Sequence, residues 1–405
     1  MISVEEARKL IEDSCSVLPK EEVLIAASLG CVTAEDIFSP ISLPPFRNAA
    51  MDGFVLSSGR TLKASAGHPV FFKIRGEIKA GGAVSGPLKP FKTKRIMTGA
   101  PVPAGADTVL EKEKAVLKDG NLVIEEPLSP GRHIRHAGEE LKKGELALGA
   151  RTLMNPGTIG FLAAMGIARV PVFKKPKVSL MATGSELVCA GIPLREGKIY
   201  DSNSVMLEAA LWDMRLRPIL VRRVRDKPAL MRTLLNYALL ESDVVILTGG
   251  VSVGEHDHVK PLLADAGVET IFWKVKQKPG KPLYFGRKGR KLVFGLPGNP
   301  ASVFTCFYEY VYPALRLLMG HRNPYLAQQV TNLKAIVKPD PKMNLFMKGR
   351  IDKGSAVPLQ RQQSHMLSSL SETNAFLVIP GSLDTLKDGD AILAHTLPYE
   401  SGVES

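Results

Sequence analysis

At 405 residues the chain is too long for one hydrophobic core, and about 100–200 residues per domain predicts two to four domains. Hydrophobic residues make up 45% and charged residues 23%, ordinary globular values, while the net charge of +13 admits nucleic acid, a membrane surface or small anions as partners. The opening MISVEEARKL lacks the apolar core of a signal peptide, and the most apolar stretch, GFLAAMGIARV, is far short of the ~20 residues needed to cross a bilayer. A soluble, cytoplasmic protein is therefore expected. Cys15, Cys31, Cys189 and Cys306 lie far apart without a CxxC pair, which argues for free buried thiols rather than zinc ligands. The pairs His133/His136 and His256/His258 match no metalloprotease spacing and read as solvated loop histidines.

Ser3 and Glu6 form an S-x-x-E capping pattern ahead of the stripe Val4, Ala7, Leu10, Ile11, predicting an N-terminal helix. LPKEEVLIAASLGCVTAEDI then reads as an extended piece, a helix and a glycine stop. After Pro44 and Pro45 the pattern turns to strands: VFFKIRGEIKAGG alternates, and AVLKDGNLVIEE forms a hairpin around Asp119-Gly120. RTLMNPGTIGFLAAMGIARV predicts a helix opened after Pro156 and a short strand. Further on, KVSLMATG, PILVRRV, DVVILTGG and KLVFGLPGN are short apolar strands alternating with the helical segments NSVMLEAALWDM, ALMRTLLNYALLES and SVFTCFYEYVYPALRLLMG. Such alternation predicts a three-layer α/β domain with parallel strands and ligand sites at their carboxyl ends. The tail segments LKAIVKP, LFMKGRID, NAFLVIP and DAILAHTL predict a small β-barrel or sandwich. The expected organisation is an N-terminal domain formed by 1–50 with 131–170, an inserted β-rich module at 51–130, an α/β domain at 171–325 and a β-barrel at 326–405.

Three loops follow predicted strands of the α/β domain. In ATGSEL, Thr183, Gly184 and Ser185 offer backbone N–H groups at an expected helix start, and Glu186 adds a carboxylate. In TGGVSVGEHD, Gly249, Gly250 and Gly254 permit close backbone approach, Ser252 supplies a hydroxyl, and Glu255 and Asp257 bring charge, so a phosphate cradle is plausible. In GLPGNPAS, Pro297 and Pro300 bracket a rigid turn before a helix opening near Ser302. Carboxylates beside bound phosphate require a cation between them, and Mg²⁺ is the natural choice; N-capping of the next helix is the alternative role for Glu186 and Asp257. Outside this domain, NAAMDGF sets Asp52 at the entry to the β module, and RIMTGAPVPAGADTVL sets Thr98 and Gly99 at a strand end. The densest basic stretch runs from Lys274 to Lys291 with eight Lys and Arg, broken by KPGKP and aromatics. No nucleic-acid-binding motif accompanies it, so a small polyanion fits better than DNA.

Taken in order, PPFRNAAMDGF, TGAPVPAGAD, GRHIRHAGEEL, ATGSEL, GKIYDSNS, GGVSVGEHD, KPGKP and GLPGNPAS resemble the MoeA molybdopterin molybdenumtransferases and the gephyrin E domain. The resemblance implies an elongated homodimer of four-domain subunits with active sites shared at the interface, and a third domain similar to the MogA adenylyltransferases. It implies insertion of molybdate into an adenylated molybdopterin with release of AMP, aided by Mg²⁺. The alternatives are a non-catalytic gephyrin-like scaffold and an adenylyltransferase acting one step earlier. A MogA-type enzyme and apo-molybdoenzymes are implied as partners. Matched by motif, Asp52, Thr98, Glu186, Asp226 and Asp257 are the implied catalytic residues, with Glu186, Asp257 and Asp52 as metal ligands. Arg135, Gly249, Gly250, Ser252, Lys274, Lys278, Pro297 and Pro300 are the implied substrate-binding residues. Arg47 and Ala49 depart from the family's PPFDNSAMDG, and Arg47 is expected to pair with Asp52 or to replace lost polarity.

Overall fold

The computed structural model describes residues 1–83, 86–225, 227–250 and 259–399. They form two compact units, one of 1–22, 30–34 and 171–405, the other of 23–29 and 35–170. The first unit opens with helix α1, Val4–Ser14, where the Ser3 hydroxyl accepts from the Glu6 N–H at 3.0 Å, as its capping pattern predicts. Val4, Ala7 and Ile11 are buried along one stripe.

The second unit is built on a six-stranded sheet in the order Thr108–Glu111, Gly53–Leu56, Lys92–Ile96, Val70–Ile78, Asn121–Ile124, Val116–Lys118. Only Lys92–Ile96 and Val70–Ile78 run parallel to each other. Successive side chains alternate between faces, and both faces are covered: Val55 and Val109 enter one core, Phe54, Leu56 and Leu110 the other. The Asp119-Gly120 hairpin forms as predicted, with φ of 51° and 74° at its two turn residues. The helix expected in LIAASLG is a single 3₁₀ turn, Ile25–Ala27, because only a few residues separate the Lys20–Leu24 strand from the left-handed Gly30. Helix α2, Pro156–Ala164, carries a full capping box between Asn155 and Thr158, and the strand Arg169–Phe173 follows it.

The first unit is built on a six-stranded sheet in the order Leu220–Val224, Val178–Thr183, Val244–Thr248, Lys291–Leu296, Tyr284–Lys288, Glu269–Trp273. The first four strands are the predicted parallel set. The other two extend it: Tyr284–Lys288 runs antiparallel to both neighbours, so Glu269–Trp273 again points the same way as the parallel set. One face packs against α1, α3 (Ser202–Asp213), α6 (Pro300–Cys306) and α7 (Tyr312–Leu318); the other packs against α4 (Pro228–Glu241) and α5 (Val259–Asp265). The helix read from SVFTCFYEYVYPALRLLMG is interrupted by a π-helical turn, Phe307–Val311, ahead of Pro313, whose ring nitrogen cannot donate a helical bond.

Five strands close the predicted small barrel: Asn344–Asp352, Ser355–Pro358, Ala327–Leu333, Ala391–Thr396 and Ala375–Ile379, the last pairing back on the first. Its opening strand is AQQVTNL, which takes in only Leu333, the first residue of LKAIVKP; beyond it Val337 makes an isolated bridge to Leu386. Phe346 and Phe376 join the aromatic core below the α/β sheet, where Phe376 meets Phe304 edge-on at 5.7 Å. A buried polar contact crosses the same boundary: Glu309 meets the His395 imidazole of the barrel at 2.9 Å and forms an ion pair with Arg8 of α1.

Candidate active site

In the β module, Asp52 lies in the turn entering the Gly53–Leu56 strand. A Cβ at Gly53 would lie 2.0 Å from the Leu110 carbonyl oxygen, so the glycine of MDG is required by strand packing. Asp52 Oδ1 accepts from both the N–H and the hydroxyl of Thr98, each at 2.8 Å, and Lys112 Nζ stands 3.6 Å from Oδ2. The Thr98 backbone donor, then its hydroxyl and Lys112, hold the Asp52 carboxyl below its ordinary pKa, so it is ionised at neutral pH. Thr98 and Asp52, read separately from two loops, are thus one hydrogen-bonded pair. Arg47 does not pair with Asp52; its guanidinium donates to the Ala106 carbonyl at 3.0 Å, and Lys112 supplies the cation. Exposed Arg135 sits on a two-residue strand paired with Asn48–Ala49, just before the MDG turn.

Next to this pair stands a residue that the loop motifs do not single out. Glu111 is buried, accepts from Arg132 at 2.8 and 2.9 Å, and has Lys114 at 2.8 Å and His133 at 3.3 Å. Burial pushes its pKa up, but Lys114 and Arg132 outweigh that and bring it to about 2. His133, expected to be solvated, is a member of this cluster.

In the α/β domain, the carboxyl ends of the parallel strands gather the expected loops. ATGSEL does not open a helix. Leu187–Val188 pairs in parallel with Ile199–Tyr200, and the next helix, α3, is capped by buried Asp201, whose carboxylate accepts from the Ser204 N–H at 3.0 Å. Helix capping is therefore not the role of Glu186. Its exposed carboxylate folds against Gly184, where a Cβ would lie 2.6 Å from Oε1, and makes no hydrogen bond or ion pair among the described residues.

Gly249 and Gly250 are left-handed, with φ of 79° and 63°, and pack on Thr183, whose carbonyl would lie 2.6 Å from a Cβ on Gly249. The Gly249 N–H donates to the Leu296 carbonyl at 3.1 Å and so is not free for a phosphate. Asp226, Ser252 and Asp257 lie outside the described residues. Among the described residues, no three acidic, histidine or cysteine side chains converge on a metal position.

The KPGKP and GLPGNPAS loops meet the barrel around a cavity of about 730 Å³, lined among others by Lys278, Pro279, Pro297, Ser302, Lys338 and Ser364. Gln277 is buried beneath it, donating to the Pro279 carbonyl at 3.1 Å and accepting from Tyr310. Gly280 is required here, since a Cβ would lie 2.5 Å from Cys306 Sγ. Helix α6 begins at Pro300, two residues before the opening expected near Ser302, with the proline in its first turn; Asn299 donates to the Ser364 hydroxyl at 2.9 Å and the Ala301 N–H to the Ser364 carbonyl at 3.0 Å. The barrel side of the cavity depends on Lys348, another residue that motif reading misses. Its buried ammonium donates to the carbonyls of Arg361, Gln363 and Met366 at 2.7, 3.4 and 3.1 Å, and burial lowers its pKa.

Three family models match the chain: the MoeA N-terminal region (domain I and II) at residues 2–166, a probable molybdopterin binding domain at 179–317, and the MoeA C-terminal region (domain IV) at 331–397. A molybdopterin molybdenumtransferase 2 of Mycobacterium tuberculosis is 33% identical, covering 94% of this chain and 96% of its own length. A molybdopterin molybdenumtransferase of Haemophilus influenzae is 32% identical over 97% of this chain and 98% of its own. The crystal structure of a molybdopterin biosynthesis moeA protein from Pyrococcus horikoshii superposes with a TM-score of 0.83 at 30% identity, covering 98% of this chain and all of that one. The chain belongs to the MoeA family of molybdopterin molybdenumtransferases.

Proposed function

We propose that this protein inserts molybdate into an adenylated molybdopterin: water cleaves the phosphoanhydride and AMP leaves, and the two dithiolene sulfurs replace two oxo groups of molybdate, which depart as water with the thiol protons. The observation that carries the reading is the cavity in which Lys278, the two proline-bracketed loops and the barrel wall meet. It is of a size for a pterin phosphate, polar at its rim, and held by Ser364 and Lys348 against the start of α6. Lys278 and Lys274 attract the anionic groups, and Arg135, of the 131–170 segment, is read as a further substrate-binding residue.

Three carboxylates, Asp52, Glu186 and Asp257, are read as the groups that hold Mg²⁺ beside the anhydride, and Asp226 as a further catalytic residue. The chemistry of the donors fits: Asp52 is held ionised by Thr98, and the Glu186 carboxylate has no protein partner among the described residues. Bound there, Mg²⁺ supplies charge to offset that of the phosphates. Thr98 keeps Asp52 charged and oriented, and Ser252 donates to phosphate.

The same reading divides the chain into the four domains given above, makes the active protein a homodimer with shared sites, and places it in the cytoplasm beside a MogA-type enzyme and apo-molybdoenzymes. No helix among the described residues is long and apolar enough to cross a membrane. The test is to supply purified protein with adenylated molybdopterin, molybdate and Mg²⁺. Release of AMP with formation of active cofactor is expected; ATP consumption, or no reaction, rejects the proposal.

A further inference from the structure

Pairing across the α/β sheet puts Trp273, Tyr284, Gly295, Leu247 and Met181 in one row. Trp273 is the last residue of its strand, so Lys274 lies at the same carboxyl edge as Thr248 and Gly249, about 14 Å away at three strand spacings. Lys274 adopts a φ of 73°, a left-handed backbone that residues with a Cβ rarely take. Both sides of it are pinned: its N–H donates to the Leu283 carbonyl at 3.0 Å, its carbonyl accepts from the Ile2 N–H at 3.2 Å, and the Lys276 N–H returns to the Ile2 carbonyl at 2.9 Å. This pinned turn brings the Lys274 ammonium 3.8 Å from the centroid of the Trp273 ring. Lys260, from α5, brings a second ammonium 4.3 Å from the same centroid.

The two ammonium groups are therefore within about 8 Å of each other, the Debye length at physiological ionic strength, and their fields add. Neither has a carboxylate partner among the described residues. A ring quadrupole attracts each cation, but it is a weak partner compared with a carboxylate or a phosphate. An aromatic ring can thus hold two like charges near each other without neutralising them, and an anion drawn to both reduces their repulsion.

We infer that Trp273 is a positioning residue which gathers Lys260 and Lys274 into a two-cation clamp for a phosphate or phosphoanhydride, with Lys260 as a binding residue additional to the lysines of the KPGKP segment. The inference rests on the reading of Lys274 as a phosphate-holding residue.

The chain has two tryptophans, so in a Trp212→Phe background Trp273 is the sole indole reporter. Trp212 is an exposed residue of α3 with no part in the clamp. Titration with inorganic pyrophosphate should give a saturable change in Trp273 emission as the ammonium groups exchange the ring for the anion. Lys260→Met and Lys274→Met should each weaken pyrophosphate binding about tenfold, the scale of one charge-assisted contact. By calorimetry Trp273→Leu should lose about as much as either lysine variant, and Trp273→Phe, which keeps an aromatic face, should recover affinity to within about threefold of the parent. Unchanged emission on saturation, or a Trp273→Leu protein that binds pyrophosphate as tightly as the parent, overturns the clamp even where AMP is released in the insertion assay. An intact pyrophosphate response in a protein that never inserts molybdate supports the clamp and rejects the functional reading instead.

Discussion

The β module and the carboxyl edge of the α/β sheet both carry charged side chains on loops, and they treat them in opposite ways. Around Asp52 and Glu111 every charge has an answer: Thr98 donates twice to Asp52, Lys112 stands beside it, and Arg132, Lys114 and His133 surround Glu111. At the sheet edge Glu186 is exposed without a partner, and Lys260 and Lys274 rest only on an aromatic ring among the described residues. Electrostatics that are satisfied internally fix geometry and contribute to stability; electrostatics left unsatisfied store attraction for a ligand. The two regions should therefore respond differently to the same kind of substitution.

The largest expected effect is at the unsatisfied edge. Glu186→Ala should reduce turnover at least about a hundredfold, the scale seen when one electrostatic group of an active site is removed. Its melting temperature should stay near that of the parent, because no hydrogen bond is lost. Chelation with EDTA should abolish turnover and Mg²⁺ restore it. Full activity in metal-free buffer, or a Glu186→Ala protein that turns over normally, would remove the carboxylates from the mechanism.

The next test joins the two regions. If one subunit's β module serves its partner's α/β domain, inactive Asp52→Ala mixed with inactive Glu186→Ala should regain activity on subunit exchange. Random exchange makes half the dimers mixed, and each mixed dimer has one site with both lesions and one with neither, giving roughly a quarter of parental activity. No recovery in verified mixed dimers places all the carboxylates of a site within one chain.

How much of this could be read beforehand depended on whether a residue announced itself by its neighbours in the sequence. The parallel strands and the Asp119-Gly120 hairpin are local patterns and form as read, while α6 opens at Pro300, two residues ahead of the expected Ser302. AQQVTNL is hard to read because its first four residues are exposed and its core contacts come only at its end, whereas LKAIVKP looks more apolar yet only its first residue, Leu333, joins the barrel ladder. ATGSEL was misread because serine and glutamate are good helix openers, but the return strand Ile199–Tyr200 captures the segment first. Glu111 is hidden in a run of alternating charge, EKEK, that resembles a solvated surface. Lys348 had a usable signal: on its strand it shares the parity of buried Phe346, two residues earlier, and so faces inward.

A smaller effect separates lysines that wait for a ligand from lysines already engaged. Lys278→Ala at the cavity rim should weaken molybdopterin binding by roughly 1–3 kcal/mol, the range of a charge-assisted hydrogen bond. Lys114→Ala in the Glu111 cluster should leave that affinity within about threefold, because its charge is spent on a carboxylate. Equal losses in the two variants would mean that binding follows net charge rather than these positions. Tight, steeply salt-dependent binding of duplex DNA by the parent protein would argue against a small anion as the partner.

The smallest effect is a stability change confined to acid. Glu111 has its pKa depressed from 4.5 to about 2 by Lys114 and Arg132 against the opposing push of burial. A carboxylate with a lower pKa in the folded than in the unfolded state stabilises the fold fully above the unfolded value, and that contribution disappears as pH falls through the folded value. For Glu111 the window runs from pH 4.5 down to about 2. Lys114 is largely solvent-exposed, so screening reduces the whole contribution to about 1–2 kcal/mol. Urea unfolding of the parent at pH 7, 4, 3 and 2 should therefore show a loss of stability that, by the lowest pH, is smaller by about that amount in Glu111→Gln, whose side chain has no proton to gain. At pH 7 the Gln variant should be the less stable protein, and the two should converge in acid. Asp52→Asn provides the contrast within the same module: its carboxylate is largely exposed, so the acid limb of its stability curve should stay close to the parent's while turnover falls. Parallel curves for Glu111→Gln and the parent across the acid range would show that the cluster does not hold the module together.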